Sequence, residues 1–306
     1  MVDLLDENNV TPLAGKTIAI SISSAPDMNI LGFPSSEVDN VLFRLCTAII
    51  RAGGRILYGG NLDPDGYTFK IFEYIKTAYT KPKDKLPFIH LIAEPVFIHN
   101  KYEDLLETLN KTETVSQAFI ILDNEVTGQL LCMDKEIWIR DDAGHCERLG
   151  QNRFKEIKDN FDAKKTAMAF SRMREIAITL SDARIIMGGK MGIIGNTADQ
   201  YSGKIPGIAE ETIYSLQNQQ PIVLLGAYGG VSRDIAIELG LMKREVQVPR
   251  SKQVDSYHSG MKNVAKCKHL VPIESLEKLG QIANCELQIG DEKFIVKFLA
   301  SAIANI

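Results

Sequence analysis

The sequence predicts an α/β protein built on a doubly wound, mainly parallel sheet. Three observations carry that prediction. Short apolar runs alternate with amphipathic stretches of helical period along most of the chain. Two of these runs end in a glycine pair, Gly59-Gly60 and Gly188-Gly189. The order strand, helix, strand recurs, and consecutive parallel strands need such a crossover helix.

Residues 16–23, KTIAISIS, are a short β-branched run that reads as a buried strand. After a proline-bearing loop, SSEVDNVLFRLCTAIIRAGG offers an N-cap at Ser35 or Ser36. Its apolar face is Val38, Val41, Leu42, Leu45, Ile49 and Ile50, and Gly53-Gly54 stops the helix. RILYGG (55–60) is a second strand, residues 66–79 a second helix, and FIHLIA (88–93) a third strand. The middle interrupts the alternation, with a helix over 102–112 and a strand over 117–123. Residues 124–153 form a polar, turn-rich stretch carrying the only tryptophan, Trp138, with room for an extra strand or hairpin. A long helix is expected from about Asn152 to Leu180. Alternation then resumes, with a strand over 183–189, a helix in GIAEETIYSLQNQ, a strand over 221–227 and a helix over 229–241. In the last 65 residues IESLEKL reads as helix, while KFIVKFLASAI fits either strand or helix. The chain is read as one domain, 1–306, with a core of 16–93 and 168–241, an insertion over about 94–165 and a C-terminal extension over 242–306. It has no internal repeat of fixed period.

Composition narrows the function. A hydrophobic content of 45% and a charged content of 24% suit a globular chain with a full core. The net charge of −4, with no basic run, argues against nucleic acid as a partner, because phosphate backbones demand clustered cations. The five cysteines (Cys46, Cys132, Cys146, Cys267, Cys285) are scattered, with no CxxC and no zinc-ligand spacing, so neither a metal nor another cofactor is implied. No apolar run reaches the roughly 18 residues of a membrane helix. MVDLLDENNVTPLAGK lacks the basic start and apolar core of a signal peptide, and a cytoplasmic protein is expected. There is no Walker motif, and no intact GxGxxG followed by the expected acid, which weakens ATPase and nicotinamide dehydrogenase readings.

In a doubly wound sheet, ligands bind beyond the carboxyl ends of the strands, near the point where strand order reverses. The candidate binding residues fall at such ends: Ser23 and Ser24, Gly59 and Gly60, Gly188, Gly189 and Lys190, and Gly226, Gly229 and Gly230. Glycines there let backbone approach a ligand, and N–H groups at helix starts attract phosphate. A second signal is GKIPGIAEE (203–211), where Pro206-Gly207 runs into Glu210 and Glu211. Such a turn is an ordinary helix start, and it also sets an acid at the mouth of a phosphate-binding cleft. Upstream, SRMREIAI carries Arg172 and Arg174 on what is in any case an amphipathic helix. Asp63, Asp65 and Tyr67 lie in a turn placed to touch a base or ribose, and Asp182 reads as a turn or cap residue. The five histidines show neither Ser/Asp partner spacing nor metal pairing.

RAGGRILYGGN, FSRMREIAITLSDARIIMGGK, PGIAEE and QPIVLLGAYGG together resemble the SLOG superfamily. This Rossmann-like group includes the Lonely Guy phosphoribohydrolases, the DNA-processing protein A fold and nucleotide-sensing domains of prokaryotic defence proteins. The resemblance covers roughly 16–93 and 168–241. Tyr58-Gly59-Gly60 matches the Tyr-Gly-Gly strand end, Ser181-Asp182-Ala183 the Ser-Asp-Ala entry to the later strand, and Gly207-Ile208-Ala209-Glu210-Glu211 the Gly-Thr-x-Glu-Glu motif. The chain departs in three places. KMGIIGNTADQYSGKIP separates the two halves of the glycine motif, Ile208 stands at the threonine, and Met173 falls at the arginine by strict spacing. The resemblance implies a nucleotide ligand and cleavage of an N-glycosidic bond, with Glu211 as the acid facing the cleft, Glu210 close behind, and Arg174 or Arg172 on phosphate or leaving group. The alternative it allows is a non-catalytic sensor of an ADP-ribose-like signalling nucleotide in bacterial antiviral or stress defence, acting through a separate effector protein. Relatives of this fold are often dimers, so a homo-oligomer is expected.

Overall fold

The computed structural model describes residues 11–78, 86–123 and 125–306. In chain order the elements are β1 (Thr17–Ser23), α1 (Ser35–Arg51), β2 (Arg55–Gly59), α2 (Tyr67–Ala78), β3 (Phe88–Ala93), α3 (Glu94–His99), α4 (Tyr102–Thr112) and β4 (Ser116–Leu122). Then follow β5 (Glu125–Met133), β6 (Glu136–Arg140), β7 (Cys146–Leu149), α5 (Gln151–Asn160), α6 (Thr166–Thr179), β8 (Ala183–Gly188), α7 (Gly207–Gln217) and β9 (Ile222–Leu225). Four helices end the chain: α8 (Gly230–Glu238), α9 (Asp255–Lys266), α10 (Leu276–Asn284) and α11 (Asp291–Ala304).

The nine strands of the described residues form one sheet in the order β7-β6-β5-β4-β3-β2-β1-β8-β9. From β4 through β9 the pairing is parallel, and β5, β6 and β7 extend the β4 edge as an antiparallel meander. This is the doubly wound, mainly parallel layout expected from the sequence. Strands β3, β8 and β9 are buried at every residue, as parallel strands with helices on both faces should be. The order of strands reverses between β1 and β8, where Ser23 pairs with Gly188. That is the switch point at which a ligand crevice is sought.

Local signals explain most of the boundaries. Helix α1 buries the seven residues Val38, Val41, Leu42, Leu45, Cys46, Ile49 and Ile50. It ends in a Schellman arrangement: Gly53 N–H donates to Ile50 O (3.0 Å) and Gly54 N–H to Ile49 O (3.0 Å), with Gly53 at φ +84°. Its start differs from expectation. Pro34, at φ −68°, occupies the N-cap position, and no side chain caps the helix, so Ser35 is already helical. The proline's fixed φ and missing N–H suit a chain entering a helix.

Three other expectations change, and one left open between strand and helix is decided. Residues 125–149 hold three strands rather than an extra strand or a hairpin, because β5 and β6 alternate buried and exposed positions too weakly to stand out. The long helix from Asn152 to Leu180 is two helices. Phe161 and Asp162 are extended, and Asp162 Oδ1 accepts from Lys164 N–H (2.9 Å), capping a 3-10 turn at Ala163–Lys165. The strand over 221–227 stops at Leu225 and passes into a 3-10 turn, Gly226–Tyr228. Residues 293–303 are helix. Helices α3 and α9 were not anticipated. Tyr79, the last residue of the second helix as read from the sequence, and residue 124 lie outside the described residues.

Residues 94–165 supply four strands of the same sheet, and residues 242–306 pack against its other end. Leu279, Ile282 and Ala283 of α10 and Ile295, Val296 and Leu299 of α11 are buried in the core cluster that contains α1, β8 and β9. A second cluster joins β3 and β4 to α3, α4 and α6.

Candidate functional site

Helices α6 and α7 place the two acids against two arginines. Helix α7 begins at Gly207 behind Pro206, with no side-chain cap. Glu210 accepts from Arg174 Nη1 (2.6 Å), Ser171 Oγ (2.7 Å) and Tyr214 Oη (3.2 Å), and the residue is buried. Glu211 is held more loosely, at 3.3 Å from Arg184 Nη1 and 3.7 Å from Arg174 Nε. Arg174 packs so closely on the helix start that a Cβ at position 207 would lie 2.5 Å from its Nη2, and only glycine leaves that space.

Arg184 is the residue that sequence reasoning missed. It projects from β8, is 2% exposed, and donates from Nε to Ser215 Oγ (3.0 Å) and from Nη1 to Ser21 Oγ (2.8 Å). Its Nη2 and the Nε of Arg174 are buried without a hydrogen-bond partner among the described residues. Burial lowers the Arg184 pKa from its ordinary value, and the Glu211 carboxylate opposes that shift. The signal was present in ARIIMGG, since a charged residue in an otherwise buried strand must find a partner.

Of the two arginines singled out on α6, only Arg174 joins the acids. Arg172 lies on the half-exposed side, 2.9 Å from Glu175. Met173, between them, is buried, and its Cε sits 2.9 Å from where a Cβ on Gly59 would be. The β2 end therefore rests directly on α6. Tyr58 is buried beside it and donates from Oη to Ile22 O (3.2 Å). Desolvation, helped by the Glu211 charge, raises its pKa. The segments around Tyr58 and Glu211 thus meet on one side of the sheet. Beneath Gly60, His90 Nε2 lies 3.4 Å from the Gly60 carbonyl, which only a ring protonated at Nε2 can satisfy. Burial pushes that histidine's pKa down to about 4, with the Gly60 hydrogen bond opposing.

At the switch point, Gly189 N–H donates to Ser23 O (2.9 Å) and Val231 N–H to Gly189 O (3.2 Å). Ser24 is exposed and bonds the Tyr67 hydroxyl. Lys190 Nζ donates to Gln200 O (3.1 Å), which holds it against the loop that separates the glycine motif. Asp199 organises this loop, accepting from Met191 N–H (2.9 Å) and Ile193 N–H (2.8 Å). The last three glycines turn inward. A Cβ on Gly226 would meet Met242 and Ala283, and one on Gly229 would lie 2.6 Å from Asp27 Oδ1. Gly230 N–H donates to Asp27 Oδ1 (2.6 Å), so a buried carboxylate of the protein already fills the start of α8. Gly226, Gly229 and Gly230 therefore serve packing, a correction forced by a side chain far away in sequence.

An open cleft of about 1040 Å³ lies beyond the ends of β2 and β3, lined among others by Asn61, Asp63, His99, Lys158, Phe170 and Ser202. The acids do not line it. Arg174 stands one layer behind its floor, with Cζ 5.8 Å from the Phe170 ring centroid. Chemically, Glu210 is saturated and anchors α7 to α6, while Glu211 keeps the longer, weaker contacts. Among the described residues no group of three or more His, Cys, Asp or Glu is placed to hold a metal ion, and no helix is long and apolar enough to cross a membrane.

A family model described as SLOG cluster2 matches residues 12–288, a span that takes in the sheet, the acid–arginine cluster and most of the C-terminal helices. No curated protein matches the chain. Together with the reversal of strand order beside a glycine-rich strand end, the match means that the chain belongs to the SLOG cluster2 family and is a nucleotide-binding Rossmann-like protein.

Proposed function

We propose that the protein binds a nucleotide beside the Ser23, Gly59 and Gly188 strand ends and the start of α7, and hydrolyses its N-glycosidic bond. The observation that carries the reading is the pairing of Glu211 with Arg174 and Arg184, 3.7 and 3.3 Å away, on the first turn of α7. In such a reaction the C–N bond breaks toward the base, positive charge develops on the ribose, and water adds to the anomeric carbon. A carboxylate beside the ribose stabilises that charge or takes the proton from water. Glu211, less tightly bonded than Glu210, is the one able to turn toward substrate. Arg174, pressed against an uncapped helix start, adds a rigid cation where a phosphate would approach. A homo-oligomer is part of the proposal, because relatives of this fold are often dimers.

The experiment is direct. The purified protein is incubated with AMP, NAD and ADP-ribose, and released base is followed by chromatography. Base release that disappears in Glu211→Gln, with ligand-induced thermal stabilisation retained, is the expected result. Release unchanged in the variant would remove Glu211 from the chemistry.

A second reading is favoured by one observation, that Glu210 is fully satisfied by three internal donors. A site with one of its two acids locked this way suits a sensor, which binds a signalling nucleotide in a defence or stress pathway and passes the state to a separate effector. Stabilisation by ligand without any base release selects it.

A further inference from the structure

Every oxygen of the two acids on α7 faces a donor. Glu210 Oε2 accepts from Arg174 Nη1 (2.6 Å), and Oε1 accepts from Ser171 Oγ (2.7 Å) and Tyr214 Oη (3.2 Å). Glu211 has a guanidinium at each oxygen, Arg174 Nε 3.7 Å from Oε1 and Arg184 Nη1 3.3 Å from Oε2. Arg184 cannot swing away, because it is buried and its Nε and Nη1 are held by Ser215 and Ser21. A guanidinium has only donors and does not give up its proton. A proton on either glutamate would point at those N–H and O–H groups, so both side chains are set as acceptors. The neighbouring groups are no better as proton sources. Tyr214 already donates to Glu210, and burial, with that carboxylate beside it, pushes its pKa up to about 12. Tyr58 donates to Ile22 O, and desolvation, then the Glu211 charge, raises its pKa. His90, with its pKa pushed down to about 4 by burial, is neutral. Among the described residues, the side chains bonded or ion-paired to the two acids thus include no group that releases a proton at neutral pH. The cluster is also balanced, two carboxylates against two guanidiniums.

This inventory bears on the leaving group. When the glycosidic bond to a neutral purine breaks, the electron pair makes the base an anion unless a general acid protonates the ring. When the base is already cationic, a pyridinium or an N-alkylated purine, the same pair cancels its charge and it departs neutral without a proton. Positive charge then only moves from base to ribose, whereas a neutral base requires opposite charges to be created in a partly buried site, which is costly. We propose that the site cleaves N-glycosidic bonds to bases that already carry a positive charge, and leaves neutral bases attached. The carbon–nitrogen pair goes to the ring nitrogen, the water oxygen bonds to the anomeric carbon, and a water proton passes to Glu211 and on to solvent. The proposal rests on the hydrolase reading above and adds the class of leaving group.

Two matched pairs on the full chain test it: GMP against its N7-methylated form, and AMP against nicotinamide mononucleotide. Released base is followed by chromatography, each rate is divided by that of the same compound without protein, and binding is read by thermal stabilisation. The charged member of each pair is expected to show a rate enhancement about a hundredfold or more above its neutral partner, the typical contribution of the general acid that the cluster lacks. Glu211→Gln should abolish cleavage of the charged members and keep their binding. Enhancements within about tenfold of each other across a pair, short of a general acid's usual contribution, would overturn the leaving-group class and leave the hydrolase reading standing. Stabilisation by all four compounds with no base released defeats the hydrolase reading and this proposal with it. Stabilisation by none removes the nucleotide site itself.

Discussion

Arg184 shows how much of the site depends on one side chain. Its ion pair links β8 to Glu211, and it also holds Ser21 of β1 and Ser215 of α7. An ion this deeply buried is tolerated because its partners replace water. Arg184→Leu leaves Glu211 without its nearest cation and two hydroxyls without their donor. The expected loss is about 3–5 kcal/mol of unfolding free energy. Adding Glu211→Leu should recover part of that loss, because the stranded charge is gone. Urea unfolding with unchanged slope reads both values. A neutral single variant would mean that the cluster is held together from elsewhere. Arg184→Lys should also be costly, since one ammonium cannot span Ser21, Ser215 and Glu211 as a planar fork does.

At the scale of elements, the decisive contact joins the end of β8 to the start of α8. A Cβ on Gly230 would lie 2.6 Å from Gly188 C and Gly189 O, and Gly230 sits at φ +66°. Gly230→Ala must therefore strain the backbone and separate the two elements, for about 2 kcal/mol or more. Gly195, at φ +87° with nothing within 4 Å, is the control, and its alanine variant should cost only about 1 kcal/mol. Thermal unfolding of the two variants measures the difference, and equal losses would show that packing at the β8 end is slack. This contact also marks what was legible beforehand. Continuous apolar runs announced β1, β3 and β8, and the glycine pairs that end β2 and β8 were visible as turns. Which glycines face solvent was not visible, because Gly230 is occupied by Asp27, 203 positions away. The break between α5 and α6 was hidden for a simpler reason. Residues 162–165, DAKK, are as compatible with helix as with a turn, and only the Asp162 cap decides.

For the molecule as a whole, the C-terminal residues close the fold rather than decorate it. Their hydrophobic pattern is diluted by polar 3-10 turns, which is why they read weakly as sequence, and Arg250 is one of the side chains that tie them to the nucleotide-binding half. Arg250 donates from Nη2 to both oxygens of Asp234 (2.7 and 2.8 Å) and from Nη1 to Asp27 (3.3 Å), while Tyr257 of α9 donates to Asp234. Beside it Ile194 N–H donates to Lys252 O (2.9 Å) and Val254 N–H to Gly192 O (3.1 Å), so the loop after β8 is laced to the same segment. Asp27 and Asp234 are 1% and 3% exposed, and Arg250 is the cation whose hydrogen bonds reach both. Arg250→Ala takes the hydrogen-bonded cation from two buried carboxylates at once, at an expected cost of about 3–5 kcal/mol. Lys16→Ala breaks only the partly exposed pair with Asp182 and should cost under about 1 kcal/mol. The damage should also spread. With Asp27 no longer held, the start of α8 loses its cap, so hydrogen exchange should quicken at Gly230 and in the loop after β8 as well as in α9. Faster exchange confined to α9 would show that the C-terminal helices are a separable layer and that the switch point is held by the core alone.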